Sequence, residues 1–211
     1  MRDLDGAALI AVDLQRGFIS EVRELPVPEG AQVVPIINRL LLMFPIRVAS
    51  QDWHPAGHGS FASAHAGARP FDIGELAGAP QVLWPDHCVQ GTAGAEFHPA
   101  FDHRLVQAVF RKGSDPGIDS YSVFRDNSGR NPTGLDGYLR SRGARSIYLA
   151  GLALDYCVRY TARDARLLLP DLPITVIKDA CRPVAVTSGE ETQEELRALG
   201  VELLDSRHLL G

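Results

Sequence analysis

Short runs of apolar residues recur along the chain and alternate with longer stretches of helical hydrophobic periodicity. The first run, residues 7–12, is too short for a helix and suits a strand buried on both faces. Five similar runs follow, so we predict six strands, at residues 7–12, 45–50, 106–111, 146–152, 173–178 and 201–204. Between most of them we predict helices, at residues 31–43, 134–142, 157–169 and 188–199.

The alternation of strands and helices predicts an α/β fold. Parallel strands need long crossover connections, which are usually helices and are right-handed. We therefore predict an open, doubly wound, mainly parallel six-stranded sheet with helices on both faces. A chain of 211 residues, 45% of them hydrophobic, has enough apolar residues for one substantial core, so we expect a single domain over residues 1–211.

One long segment departs from this alternation. Residues 53–105 are rich in Gly, Pro, His and aromatic side chains, and they are far more numerous than an ordinary connection needs. Long irregular segments usually contain functional residues or are disordered. We therefore expect either part of the functional site or disorder within this segment.

Composition and charge exclude several classes of partner. The net charge is −5, and no run of Lys or Arg offers a surface for a phosphate backbone, so nucleic acid is not an expected partner. No apolar stretch approaches the ~20 residues of a membrane span, and the N-terminus has acidic residues where a secretory signal has basic ones. The chain has three cysteines, and their spacing does not match that of a disulfide-linked framework, which is typical of a protein in a reducing compartment. We expect a cytoplasmic protein with no membrane partner.

Candidate chemistry is concentrated at the predicted strand ends. In open α/β sheets, ligands bind beyond the carboxyl ends of the strands, near the point where the strand order reverses. The first strand leads to Asp13, the second to Asp52 and His54, and the third to Lys112, while the fourth leads to Cys157 at a helix start. The sequence therefore predicts an acid, an ammonium, a thiol and metal-ligand side chains at one edge of the sheet.

Cys157 is the candidate nucleophile. The first turn of a helix has free N–H groups and the positive end of the helix dipole, which stabilise a thiolate. Asp13 is then placed to accept the thiol proton, and we expect the cation of Lys112 to lower the thiol pKa. Each residue also has an ordinary structural explanation, because a strand-end Asp is often a helix cap and a buried Cys is often a small hydrophobic residue.

Asp52 and His54 form a candidate metal site. They are two residues apart, so on an extended segment both side chains point to the same side, and His87 of the same long segment is a candidate third ligand. One carboxylate and two imidazoles suit Zn²⁺, Fe²⁺ or Mn²⁺. A solvated loop with surface histidines is the alternative. The role of His58 is open, because its glycine neighbours leave its direction undetermined.

Several common active-site motifs are absent from the sequence. The chain contains no P-loop, GxGxxG, HExxH or GxSxG sequence, which disfavours nucleotide binding and serine hydrolase chemistry. Cys88 and Cys181 are most simply core or near-core thiols. Lys112 and Lys178 are the only lysines among the 21 basic residues, which directs attention to both.

Five ordered fragments resemble the nicotinamidases of the isochorismatase-like cysteine hydrolase superfamily. They cover nearly the whole chain and are AVDLQRGF, SQDWHPAGHGSFAS, WPDHCVQGTAGAEFHP, FRKG with DSYSVF, and GLALDYCVRYTARDA. The resemblance implies metal-dependent hydrolysis of nicotinamide, and also of pyrazinamide, to the acid and ammonia through a Cys157 thioester, in NAD salvage. It implies one divalent cation as cofactor, with zinc first and Fe²⁺ or Mn²⁺ as alternatives.

The resemblance also assigns roles to individual positions. The catalytic positions are Asp13, Lys112 and Cys157, and the metal-ligand positions are Asp52, His54 and His87. The family's cis peptide bond corresponds to Leu152–Ala153, and its oxyanion hole corresponds to the N–H groups of Ala153 and Cys157. The positions that would sandwich a flat heteroaromatic ring are Phe18, Trp84, Tyr121 and Tyr156.

Two departures from the family bear on substrate preference. Leu154 stands where the family usually has Thr, and the loop of residues 19–27 lacks the customary Gly-Gly pair but retains Leu25 and Val27. We expect both to lie close to the pocket. Two other hypotheses stay open: another isochorismatase-like hydrolase with a different small amide or vinyl ether as substrate, and a metal-sensing module without catalysis. The sequence also leaves the metal and the oligomeric state open, a homo-oligomer included.

Overall fold

A computed structural model describes residues 2–19, 22 and 24–210. Its strands are β1 (Ala7–Val12), β2 (Ile46–Asp52), β3 (Ile73–Leu76), β4 (Ala79–Val82), β5 (Ala108–Lys112), β6 (Ser146–Leu152), β7 (Ile174–Arg182) and β8 (Glu202–Leu204). Its α-helices are α1 (Arg16–Ile19), α2 (Val33–Leu41), α3 (Leu135–Ser141), α4 (Arg159–Leu168), α5 (Val186–Ala198) and α6 (Arg207–Leu210). None of the helices in the described ranges is long and apolar enough to cross a membrane.

Six strands form one parallel sheet in the order β5-β2-β1-β6-β7-β8. Every pairing in this sheet is parallel, which confirms the predicted doubly wound α/β fold. The chain builds outward from β1 to β5 on one side and from β6 to β8 on the other. The strand order therefore reverses between β1 and β6, where a ligand site is expected beyond the carboxyl ends of the strands.

The sheet is buried on both faces by two hydrophobic clusters. Alternate residues of β1 contribute to opposite clusters, with Leu9 in one and Ile10 in the other. The first cluster includes buried residues of α2 and α6, and the second includes buried residues of α3, α4 and α5. Burial on both faces explains the uninterrupted apolar runs of the central strands.

The predicted elements differ from the structure mainly in three places. Strands β2 and β5 extend to Asp52 and Lys112, so these candidate residues end their strands instead of following them. The first two residues of the predicted helix 157–169 belong instead to a π-helical turn, Leu154–Val158, and α4 begins only at Arg159. The segment 53–105 contains the antiparallel hairpin β3–β4, which we did not predict because neither of its four-residue strands has an apolar run.

A glycine brings β1 and β6 close together at their carboxyl ends. Gly151 has a φ of 129° and pairs with Val12, and a Cβ atom at this position would lie 2.1 Å from the carbonyl oxygen of Val12. Only glycine fits so close to the neighbouring backbone. The approach places the residues that follow β6 next to Asp13.

Candidate active site

Lys112 lies at the centre of a buried cluster formed by four strand ends. Its Nζ atom is 3.0 Å from Oδ2 of Asp13 and 2.5 Å from Oδ1 of Asp52. The same ammonium donates to the sulfur of Cys157 at 3.4 Å and to the backbone oxygen of Ser120 at 3.2 Å. The structure therefore brings together the acid, the ammonium and the thiol that the sequence predicted at one edge of the sheet.

Asp13 is held in place by a neighbouring strand. The hydroxyl of Ser50 donates to Oδ1 of Asp13 at 2.6 Å, and the backbone N–H of Asp13 donates to the Ser50 oxygen at 3.1 Å. Asp13 has a φ of 49°, a left-handed conformation that is uncommon for a residue with a side chain. Ser50 was not among the predicted site residues, although its position two residues before Asp52 in a strand places both on the same face.

The buried charges of this cluster stabilise one another. Burial lowers the pKa of Lys112, but Asp13 and Asp52 outweigh this effect and leave that pKa well above its usual value. Burial raises the pKa of Asp52, but Lys112 and the hydrogen bond from His87 bring it below the usual range. For Asp13, burial is the largest effect and leaves the pKa raised. Lys112 is therefore charged at neutral pH.

Burial opposes the expected effect of Lys112 on the thiol of Cys157. Burial raises the pKa of Cys157 well above its usual value, and the nearby carboxylates of Asp13 and Asp52 raise it further. Lys112 lowers this pKa, as expected, but not enough to compensate. The resting thiol is therefore protonated, and a base must remove its proton during the reaction.

The turn that contains Cys157 is anchored from both sides. The peptide bond Leu152–Ala153 is cis, as the resemblance implied. The buried carboxylate of Asp155 accepts hydrogen bonds from the N–H groups of Val184 at 2.9 Å and Ala185 at 3.3 Å. These bonds tie the turn to the start of α5.

The three candidate metal ligands also lie together. Ligand atoms of Asp52, His54 and His87 are all within 4.8 Å of one another, and all three residues are buried. Nε2 of His87 is 3.5 Å from Oδ2 of Asp52, and its Nδ1 lies 2.8 Å from the carbonyl oxygen of Pro85. A hydrogen bond from Nδ1 to this carbonyl leaves Nε2 as the nitrogen available to a cation.

His54 and His58 differ in how their nitrogens are used. Burial lowers the pKa of His54 well below its usual value, so the ring is neutral, the form that binds metals. Its Nδ1 is buried without a hydrogen-bond partner among the described residues. His58 Nδ1, by contrast, accepts the N–H of Ser60 at 3.0 Å, and Nε2 lies 2.7 Å from the carbonyl oxygen of Asp115. His58 therefore has no nitrogen free for a cation in this arrangement.

Cys157 opens onto a cavity that two of the candidate metal ligands, Asp52 and His87, also line. The sulfur side is lined by Cys157 and Ala153, and the metal side by Asp52 and His87. The remaining lining residues include all four predicted aromatic residues; they are Phe18, Leu25, Val27, Trp84, Asp119, Tyr121, Tyr156 and Val184.

The two departures from the family occupy different positions. Leu154 is buried in the cluster on the α3–α5 face of the sheet and does not line the cavity itself, although the preceding residue, Ala153, does. Leu25 and Val27 do line the cavity. Residues 20, 21 and 23 of the same loop lie outside the described residues.

Asp119 is a cavity residue that the sequence analysis missed. Its Oδ1 is 3.5 Å from Nε2 of His54, and its Oδ2 accepts a hydrogen bond of 2.9 Å from Nε2 of Gln81 on β4. The same Gln81 nitrogen is 3.0 Å from the hydroxyl of Tyr121. Asp119 lies in the fragment DSYSVF, but nothing in its spacing from the other candidates indicated a contact with a residue of an unpredicted hairpin.

The remaining candidates lie outside the cavity. Cys88 and Cys181 are buried free thiols, as predicted. Lys178 forms an ion pair with Asp205 at 3.2 Å and is partly exposed. Of the two lysines, Lys112 alone is part of the buried cluster.

A parallel sheet with a buried thiol, carboxylate and ammonium beyond its strand ends defines a class of hydrolase. Residues 7–208 match the isochorismatase domain, and the chain belongs to this family, as the resemblance predicted. The chain is 44% identical over 211 residues to the nicotinamidase of Acinetobacter baylyi, covering 100% of this chain and 97% of that protein. It is 45% identical over 202 residues to the nicotinamidase of Escherichia coli, covering 93% of each.

Solved structures show the same similarity. A nicotinamidase/pyrazinamidase of Acinetobacter baumanii has a TM-score of 0.92 and 40% identity, with both chains covered completely. PnC1 from L. infantum, in complex with nicotinate, has a TM-score of 0.83 and 35% identity over 95% of this chain and 93% of that one. A pyrazinamidase of Pyrococcus horikoshii in complex with zinc has a TM-score of 0.76 and 32% identity, covering 95% of this chain and 99% of that one.

Proposed function

We propose that this protein hydrolyses nicotinamide to nicotinate and ammonia, and pyrazinamide to its acid, and that it acts in NAD salvage. The observation on which the proposal depends is that Cys157, buried beside Lys112 and Asp13, lines one cavity together with Asp52 and His87 of the candidate metal site. The nicotinamidase relatives at 44% and 45% identity support the choice of substrate. We still expect the protein to be located in the cytoplasm.

The cofactor is one divalent cation, with zinc as the first choice and Fe²⁺ or Mn²⁺ as alternatives. The residues that would hold it are Asp52, His54 and His87, whose ligand atoms are close together and chemically suited to these ions. The zinc complex of the Pyrococcus horikoshii relative supports zinc. When bound, such a cation supplies an open coordination position for the pyridine nitrogen of the substrate and for the water of the second step.

The aromatic wall of the cavity orients the substrate ring. Trp84 and Tyr156 pack edge to face with ring centroids 4.9 Å apart, and Phe18 lies on the side of His87 with centroids 5.6 Å apart. A flat heteroaromatic ring between these side chains gains both apolar burial and ring–ring contacts. With the ring fixed, the carboxamide carbon faces the sulfur of Cys157.

The first half of the reaction forms a thioester. Because the resting thiol is protonated, Asp13 takes its proton as the sulfur bonds to the carboxamide carbon. The N–H groups of Ala153 and Cys157 hold the negative charge that develops on the carbonyl oxygen. The carbon–nitrogen bond then breaks, and Asp13 returns the proton to the nitrogen, which leaves as ammonia.

The second half regenerates the enzyme. Water attacks the thioester carbon while Asp13 accepts one of its protons, and the carbon–sulfur bond then breaks to give nicotinic acid, which releases its remaining acidic proton to solvent as nicotinate. Cys157 regains its proton from Asp13. Lys112 stays charged throughout and balances the carboxylates of Asp13 and Asp52, from which its ammonium lies 3.0 Å and 2.5 Å away.

A coupled assay of ammonia release tests the proposal. The purified protein is assayed for ammonia release with nicotinamide, pyrazinamide and N-carbamoyl compounds, and for pyruvate release with isochorismate, each before and after treatment with a chelator. We expect rapid release from nicotinamide and pyrazinamide, loss of activity with the chelator, and recovery when zinc is added. Turnover of an N-carbamoyl compound or isochorismate without turnover of nicotinamide would assign the site to another hydrolase of this family, and no turnover in the zinc-loaded protein would favour a binding module.

A further inference from the structure

Glu24 has an unusual environment for a glutamate in a connecting loop. Its carboxylate points inward and accepts the backbone N–H of Cys88 at 2.7 Å. Glu24 immediately precedes Leu25, which lines the cavity, and Cys88 immediately follows His87, a candidate metal ligand. One hydrogen bond therefore joins the loop wall of the cavity to the segment that holds the metal site.

The carboxylate occupies a space that two glycines leave open. A Cβ atom on Gly94 would lie 1.9 Å from Oε2 of Glu24, and the three atoms nearest to it all belong to Glu24. A Cβ atom on Gly17 would lie 2.7 Å from the same oxygen. Neither glycine has a positive φ, so the backbone conformation does not require glycine at either position. Glycine is favoured at both positions because the Glu24 carboxylate occupies the space that a side chain would need.

The peptide groups of Cys88 connect two of the candidate metal ligands. The N–H of His54 donates to the carbonyl oxygen of Cys88 at 3.2 Å, while the N–H of Cys88 donates to Glu24. Cys88 has a φ of 47°, a conformation that residues with side chains adopt only when their surroundings hold them. The hydrogen bond from Cys88 to Glu24 supplies part of that restraint. Cys88 follows His87 in the chain and accepts the N–H of His54, so its conformation affects both candidate ligands.

The loop after Glu24 is fixed by a short ladder of backbone hydrogen bonds. The N–H of Leu25 donates to the carbonyl oxygen of Gly17 at 3.0 Å, and the N–H of Val27 donates to that of Phe18 at 2.9 Å. Leu25, Val27 and Phe18 all line the cavity. A displacement of Glu24 would therefore reach both the apolar wall and the metal-ligand segment.

We propose that Glu24 is a positioning residue that acts through its hydrogen bond with the N–H of Cys88. This bond sets the position of His87 relative to His54, and it sets the position of the cavity residue Leu25 relative to both histidines. The expected change in KM rests on the proposed function. The expected changes in zinc affinity and in Tm do not depend on which substrate the protein hydrolyses. Glu24 touches neither Cys157 nor Asp13 in the contacts described above. Its loss should therefore weaken binding more than it slows the chemical step.

The first experiment compares Glu24→Ala and Glu24→Gln with the wild-type protein and with Glu190→Ala, an exposed glutamate of α5. Zinc affinity of the metal-free protein is measured by competition with a chromogenic chelator, and kcat and KM for nicotinamide are measured at saturating zinc. We expect Glu24→Ala to lose about 10- to 100-fold in zinc affinity and to raise KM, with kcat within about threefold of wild type. Glu24→Gln retains an oxygen that can accept the N–H and should stay within about threefold throughout.

The second experiment is a double-mutant cycle on the glycine cradle. Gly94→Ala places a methyl group where the Glu24 carboxylate lies, so the carboxylate must move and give up its hydrogen bond to Cys88, and Tm should fall by about 2–4 °C in the wild-type background. In the Glu24→Ala background the obstructing atoms are gone, and the same glycine substitution should change Tm by no more than about 1 °C. Both measurements use thermal unfolding of the metal-free protein.

Two results would overturn the proposal. Glu24→Ala with unchanged zinc affinity and KM would show that the hydrogen bond does not position the site, even if Tm falls. An equal cost of Gly94→Ala in both backgrounds would show that the carboxylate does not occupy the cradle. A wild-type protein that fails to turn over nicotinamide contradicts the proposed function instead, and leaves the zinc and Tm measurements as valid tests of Glu24.

Discussion

The two sides of the cavity are built in different ways. On the reactive side, Asp13 follows β1 directly, and Asp52 and Lys112 are the last residues of β2 and β5, where they face each other as register partners. The parallel ladder sets the distance between these backbones, and each side chain is nearly or fully buried. The geometry of the reactive side is therefore determined by the sheet itself.

On the binding side, His54, Trp84 and His87 belong to the long segment between β2 and β5. Isolated backbone bridges support it there, among them those between His54 and Val89 and between Phe61 and Trp84. Side chains complete the support, as in the bond between Glu24 and Cys88 at 2.7 Å. The comparison teaches that the acid and the ammonium beside the thiol are placed by strand ends of the sheet, while His54, Trp84 and His87 lie on a long segment of mostly irregular backbone.

The largest effect is expected on the reactive side, from Cys157→Ala. Turnover should fall by on the order of 10⁴-fold or more, because no other group can form the thioester. The change is small and lies at a turn, so zinc content and the far-ultraviolet circular dichroism spectrum should match those of wild type. Steady-state ammonia release, with elemental analysis of the same sample, checks both halves of this prediction, and wild-type turnover would contradict the covalent mechanism.

Asp13→Asn should have the next largest effect. Asparagine cannot accept the proton of a thiol whose pKa is raised by burial, so kcat should fall by about 10²- to 10⁴-fold. Ser50→Ala serves as a matched control, because it removes the two hydrogen bonds between the Ser50 hydroxyl and Asp13 but keeps the carboxylate, and it should cost less than about tenfold. Equal losses in the two variants would contradict the role of Asp13 as the base.

On the binding side, His87→Ala should weaken metal binding and leave the fold unchanged. We expect a loss of bound zinc, a fall in activity that added zinc restores only in part, and unchanged secondary structure. His208→Ala, at an exposed histidine of α6, should keep full zinc content. Elemental analysis after dialysis is the measurement, and equal zinc content in the two variants would contradict the proposed ligands.

The smallest effect is expected from Gln81→Ala in the hairpin. This change removes the donor that lies 2.9 Å from Asp119, and the loss of one such hydrogen bond typically costs about 1 kcal/mol. We expect KM for nicotinamide to rise about fivefold with kcat little changed. Glu75→Ala, at an exposed position of the partner strand, should have no effect on either constant. An unchanged KM for Gln81→Ala would show that the hairpin does not shape the cavity.

The sequence predicted the reactive side better than the binding side. The residues at the ends of buried strands could be identified because an apolar run marks each strand and a parallel sheet brings all carboxyl ends to one edge. Asp119, Gln81 and Glu24 were not predicted, because their contacts depend on the path of irregular backbone. The hairpin that positions Gln81 has no apolar run, and half of its strand residues are exposed.

The thiol pKa shows a second limit of the sequence. A cysteine near a helix start beside a lysine suggested a lowered pKa, and the attraction of Lys112 is indeed present. Burial and two carboxylates outweigh it, and burial is a property of the folded cavity as a whole. The sequence could name the interacting groups but not the balance between their effects.

The sequence by itself determined the α/β class, the strand ends that meet and the types of side chain at each of them, because hydrophobic periodicity is local and parallel sheets have a defined functional edge. Only the tertiary structure decided how those charges balance and which of the nearby histidines has its nitrogens occupied. It also decided which loop carboxylate supports the metal-ligand segment. Each of these depends on distances of a few ångströms between residues far apart in the chain, and no local pattern encodes such distances.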